Sequence, residues 1–117
     1  MFRNLVVVVV LSLWHPGLSA HAFLERAEPA PGSVSTGAPT EIRLAFDSAL
    51  EHAFCAVRVE DSSGGVVATG EIQHARENPD RLAVSLPRLG SGTYQVRWSV
   101  VSWDGHQTEG DYRFTLE

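Results

Sequence analysis

"TYQVRWSVV", residues 93–101, puts Tyr94, Val96, Trp98 and Val100 at every second position, with Thr93, Gln95, Arg97 and Ser99 between them. Successive side chains of an extended chain point to opposite faces, so this alternation is that of a strand with one face in a core and the other in water. "DYRFTLE" (111–117) repeats it, with Tyr112, Phe114 and Leu116 inward. Between the two runs lies "SWDGHQTEG" (102–110), a polar loop with an acid and an imidazole two positions apart.

Working outward, the same period recurs at short spacing. "AFLER" (22–26) leads into "EPAPGS", a connection containing Pro and Gly, and "EIRLAF" (41–46) sets Ile42, Leu44 and Phe46 against Glu41, Arg43 and Ala45. "CAVRVED" (55–61) meets the tight turn "SSGG", and "VVATGEI" (66–72) leaves it, which together read as a hairpin. "RLAVSLP" (81–87) alternates Leu82, Val84 and Leu86 and is stopped by Pro87 and Gly90. The only stretch with helical periodicity is "SALEHAF" (48–54). Seven short strands of this kind predict an all-β chain, a seven-stranded Greek-key β-sandwich of the immunoglobulin-like or cupredoxin-like type. At about 25 cal/mol per Å² of apolar surface, the inward residues hold such a domain together without a metal.

The first twenty residues have a different grammar. "MFRN" carries one positive charge, "LVVVVVLSLW" (5–14) is apolar apart from Ser12, and "HPGLSA" (15–20) brings a helix breaker and small residues. This pattern predicts a secretory signal peptide over residues 1–20, its apolar run too short to span a bilayer comfortably. A cut after Ala20 leaves residues 21–117, long enough for one domain and too short for two, outside the cytoplasm and most simply in a bacterial periplasm. The formal net charge is −5 and the chain contains no Lys. That excludes a basic footprint for nucleic acid or anionic lipid, and it suits cations. Cys55, the single cysteine, has no internal disulfide partner, and its phase with Val57 and Val59 predicts a small buried core residue. A monomer is expected.

Cleavage after Ala20 would make His21 the first residue, and a terminal histidine offers a metal both its α-amine and its ring Nδ1 in one six-membered chelate ring. His106 would add a third nitrogen and Asp104 an oxygen, if the N-terminus and the 104–106 loop share one end of the sandwich. The tripeptide "DGH" equally suits a turn, with Asp accepting backbone N–H groups and Gly at positive φ. Nitrogen donors with one oxygen favour tetragonal Cu(II), which also heads the affinity order of the first-row divalent ions. Such donors must be deprotonated, an α-amine from about 7.7–8.0 and an imidazole from about 6.5, so affinity falls in acid. The only methionine is Met1, so residues 21–117 hold no thioether for Cu(I). His52 and His74 are expected on the solvated surface, and Trp103 is expected to pack beside the loop and shield it.

Taken together, "HAFLERAEPAPGS", "PTEIRLAF" and "LGSGTYQVRWSVVSWDGHQTEGDYRFTL" resemble the CopC family of periplasmic copper-resistance proteins over essentially all of residues 21–117. The combination of a His after the signal peptide, P-A-x-G-S, and G-x-Y-x-V-x-W followed by S-x-D-G-H-x-x-x-G is more specific than any one element. The resemblance implies one Cu(II) per chain, bound at the amine and ring of His21 with His106 as further nitrogen ligand and Asp104 as the nearby carboxylate. It also implies copper sequestration or delivery, sometimes toward an inner-membrane CopD-type partner. Some members carry an acidic ligand two residues after the Phe of the second strand, where this chain has Ser48; Asp47, one position short, is expected to face the other way. The methionine-rich loop of members with a Cu(I) site is missing here.

A copper carrier or buffer, not an enzyme, is therefore the expectation. One alternative is a small copper oxidative enzyme using the same histidine brace, disfavoured because residues 21–117 leave little chain for a flat substrate surface and Asp104 would occupy an axial position. The other is a metal-free immunoglobulin-like interaction module.

Overall fold

The computed structural model describes residues 22–69, 72 and 78–117. His21, His74 and the predicted signal peptide lie outside the described residues. The eight described strands are β1 (Leu24–Glu28), β2 (Val34–Ser35), β3 (Glu41–Phe46), β4 (Ala56–Glu60), β5 (Val66–Thr69), β6 (Arg81–Ser85), β7 (Gly92–Val101) and β8 (Gln107–Leu116). They form two sheets, β1-β3-β6 and β2-β8-β7-β4-β5. This is the expected Greek-key β-sandwich, with one strand more than the seven read from the sequence. The extra one, β2, pairs parallel to β8 through two residues only, too few to carry a period. "SALEHAF" contributes a single 3₁₀ turn, His52–Phe54.

Alternation decides which face is buried. Ile42, Leu44 and Phe46 of β3 and Leu82 and Val84 of β6 form the inner face of the small sheet. The register matches Ile42 with Val84 and Leu44 with Leu82. Facing them are Val57 and Val59 of β4, Tyr94, Val96 and Val100 of β7, and Tyr112, Phe114 and Leu116 of β8, all buried. Tyr94 stacks on its cross-strand partner Phe114 with ring centroids 5.5 Å apart, and its hydroxyl donates to the Gly90 carbonyl at 2.8 Å. Such a partner offsets the cost of burying the polar tip of the ring. Cys55 departs from expectation: it precedes β4 and is only half-buried against the core, its thiol donating to the Glu51 carbonyl at 3.3 Å.

Trp98 ties the two sheets together. Its ring meets Phe46 of β3 edge-on at 5.2 Å. Its cross-strand partner on β8 is Gly110, and a Cβ at that position would collide with the indole. The glycine is thus the space into which the indole fits.

The longest ladder is β7–β8, ten paired residues from Gly92↔Leu116 to Val101↔Gln107. It delivers the 102–106 loop to one end of the sandwich. β1 begins at that same end, with Leu24 opposite Phe46.

Candidate metal centre

Ser102 anchors the loop that closes the β7–β8 hairpin. It is fully buried and bridges to Leu50, and its N–H donates to the His106 carbonyl at 2.9 Å. Gly105 N–H returns to the Ser102 carbonyl at 2.8 Å, a tight turn that Gly105 completes at φ +87°. Side chains bearing a Cβ disfavour that region, so the glycine of "DGH" is a backbone requirement. The Ser102 hydroxyl donates to Asp104 Oδ1, with the His106 carbonyl at 3.2 Å as a second acceptor.

The structure brings Asp104 and His106 together as the sequence predicts, because two positions of separation across a turn set both on one side. His106 Nδ1 lies 2.8 Å from Asp104 Oδ2. Asp104 is held below the usual carboxylate range, first by the Ser102 hydroxyl and then by His106. An ionised Asp104 accepts, so Nδ1 is the nitrogen that donates, and in the neutral ring this arrangement leaves the lone pair on Nε2, the tautomer a metal-binding imidazole uses. Each Asp104 oxygen has two lone pairs, so the carboxylate can hold Ser102 and His106 and still face a cation.

The segment preceding β1 reaches this loop. Ala22 is fully buried, and its carbonyl accepts a hydrogen bond from the Thr108 hydroxyl at 2.8 Å, two residues beyond His106. Among the described residues no group of three or more His, Cys, Asp and Glu is placed to hold a metal, and the described part of the centre is the Asp104–His106 pair.

Three residues here had no assigned role in the sequence reading. Ser102 shares the strand parity of Asp104, a signal that could have found it. Thr108 had no sequence signal, because its partner is 86 residues away. Asp47 lies just past β3, which ends at Phe46, and it is exposed where Phe46 is buried, the side that alternation predicts for it. Asp47 Oδ1 accepts from Phe23 N–H at 2.7 Å, and Asp47 N–H donates to the Phe23 carbonyl at 3.0 Å.

Two expectations about neighbours are corrected. Trp103 is 64% exposed rather than packed over the loop, because its backbone N–H is drawn to the Ala49 carbonyl at 3.0 Å while Ser102 takes the buried position. His52 is half-buried, not simply solvated, with Nε2 at 2.9 Å from the Arg81 carbonyl.

Comparison with known proteins agrees with this architecture. A family model for the CopC domain matches residues 24–117. The chain is 33% identical over 116 residues to protein YobA of Escherichia coli (strain K12), covering 98% of this chain and 94% of that one. Among solved structures, CopC from Methylosinus trichosporium OB3b matches with a TM-score of 0.80 and 32% identity, over 83% of this chain and 94% of that one. PcoC, a methionine-rich copper resistance protein from Escherichia coli, matches with a TM-score of 0.74 and 28% identity, over 83% and 99%.

Proposed function

The chain belongs to the CopC family, and from that premise we propose that it binds one Cu(II) ion between residue 21 and the 104–106 loop and carries or buffers copper in the periplasm. In this reading residues 1–20 are removed on export, and the α-amine and ring of His21 form one chelate. His106 Nε2 supplies the further nitrogen and Asp104 the carboxylate. Copper is cargo here, not a catalyst.

The observation that carries the reading is the Thr108–Ala22 hydrogen bond, which joins the residue next to His21 to the strand that begins one residue after His106. Donor chemistry supports the oxidation state. Imidazole and amine nitrogens with a carboxylate suit Cu(II), whereas Cu(I) selects soft sulfur. PcoC is described as methionine-rich, while the only methionine of this chain is Met1. Handover to an inner-membrane CopD-type protein is the matching physiological role.

The test is a Cu(II) competition titration on the exported protein, with its mass measured first to fix the first residue. The expected result is one tight site in a chain starting at His21. His106→Ala, or one extra residue ahead of His21, should weaken it by orders of magnitude. Binding unchanged by either alteration overturns the reading.

A further inference from the structure

A brace built on a chain terminus has a physical problem, because the first residues of a domain are normally its least ordered. A chelate that must also meet a ligand from a distant loop needs its backbone fixed to a fraction of an ångström. Three hydrogen bonds converge on the two residues that would follow such a terminus. Thr108 Oγ1 donates to the Ala22 carbonyl at 2.8 Å, Phe23 N–H donates to Asp47 Oδ1 at 2.7 Å, and Asp47 N–H donates to the Phe23 carbonyl at 3.0 Å.

The two partners come from different layers. Thr108 belongs to β8 of the five-stranded sheet, and Asp47 directly follows β3 of the three-stranded sheet. Residues 22–23 lie before β1, whose ladder with β3 begins at Leu24. They are therefore gripped from both sheets by two side chains, in addition to the backbone bond from Asp47. Ala22 is fully buried in that grip.

We infer that Thr108 and Asp47 are positioning residues of the copper site: neither contacts the ion, and together they clamp Ala22 and Phe23 so that residue 21 is presented to His106. The inference rests on the copper reading above. Thr108 works through a hydroxyl proton, so serine can replace it and valine cannot. Asp47 works through an acceptor oxygen, so asparagine can replace it and alanine cannot.

The experiment compares Thr108→Val, Thr108→Ser, Asp47→Ala, Asp47→Asn and His106→Ala in the protein beginning at His21. It reads Cu(II) affinity by chelator competition, the Cu(II) spin-resonance spectrum, and amide exchange of Phe23 and Asp47 in the copper-free protein. Thr108→Val and Asp47→Ala should each weaken Cu(II) by about 10–100-fold, the usual cost of losing a group that orients a ligand. Both should alter the copper spectrum and speed amide exchange before any metal is added, and the serine and asparagine variants should restore all three. Wild-type affinity and spectrum in both disruptive variants, with binding lost in His106→Ala, overturn the clamp alone. Wild-type affinity in His106→Ala as well overturns the copper site and the clamp with it. Either disruptive variant suffices if the other fails to fold.

Discussion

The buried hydroxyl of Ser102 donates to Asp104 Oδ1, and the other oxygen of the same carboxylate receives Nδ1 of His106. A core residue thereby sets the rotamer of the acid, and the acid sets the tautomer of the imidazole. Ser102→Ala breaks the first link without touching either candidate ligand. Expected are about 10–100-fold weaker Cu(II) binding and an Asp104 carboxyl that titrates closer to its ordinary 3.8. Because this pKa is depressed in the folded protein, its stabilising effect is present above the ordinary value and lost as pH falls through the depressed one. The variant should therefore be less stable than the parent at neutrality, and the difference should vanish as pH falls below about 4. Carboxyl chemical shifts against pH, with acid unfolding curves, check both statements.

Gly110→Ala should destabilise the copper-free protein by about 1–3 kcal/mol, the range for overpacking a filled core, because its Cβ would enter the indole of Trp98. Replacing Trp98 with leucine in the same chain should recover part of that loss, since the two positions share one space. Denaturant midpoints in a double-mutant cycle measure the coupling. Additive effects would mean that the ring does not rest on the glycine.

Tyr112 is inward on β8, and burial pushes its phenol pKa upward. Its hydroxyl has no hydrogen-bond partner among the described residues. A phenol that ionises less readily folded than unfolded lends stability below the unfolded pKa of about 10, and that contribution disappears as pH rises beyond it. Tyr112→Phe should therefore be neutral or stabilising by about 1 kcal/mol at pH 7, since it removes an unsatisfied buried oxygen. It should also move alkaline unfolding to higher pH. Thermal melts between pH 7 and 11 provide the check.

Strands that bury one face were legible because alternation survives in them: Ile42, Leu44 and Phe46, or Tyr112, Phe114 and Leu116, announce both the strand and its inner side. β8 begins at Gln107, four residues before the reading from Asp111, and the reason is local. Its inward positions there are Thr108 and Gly110, neither of them an apolar marker, because the indole of Trp98 fills the space over Gly110. Alternation holds as far as Asp47, exposed beside the buried Phe46, but it carries no sign of the Phe23 partner that this residue takes. The Asp104–His106 pair could be read because spacing within one loop is a local property. The grip on Ala22 could not, because it depends on where the fold brings residue 108.

The span between Ala22 and Thr108 also bears on timing. Under the proposed reading, a chain emerging from a membrane pore supplies residue 22 long before residue 108, so Asp47 can hold the leading end early but the Thr108 half of the grip forms only once β8 has crossed. An unfinished or misfolded molecule then has no complete pocket in which to trap copper, and cargo is taken up only by copies that have completed their journey.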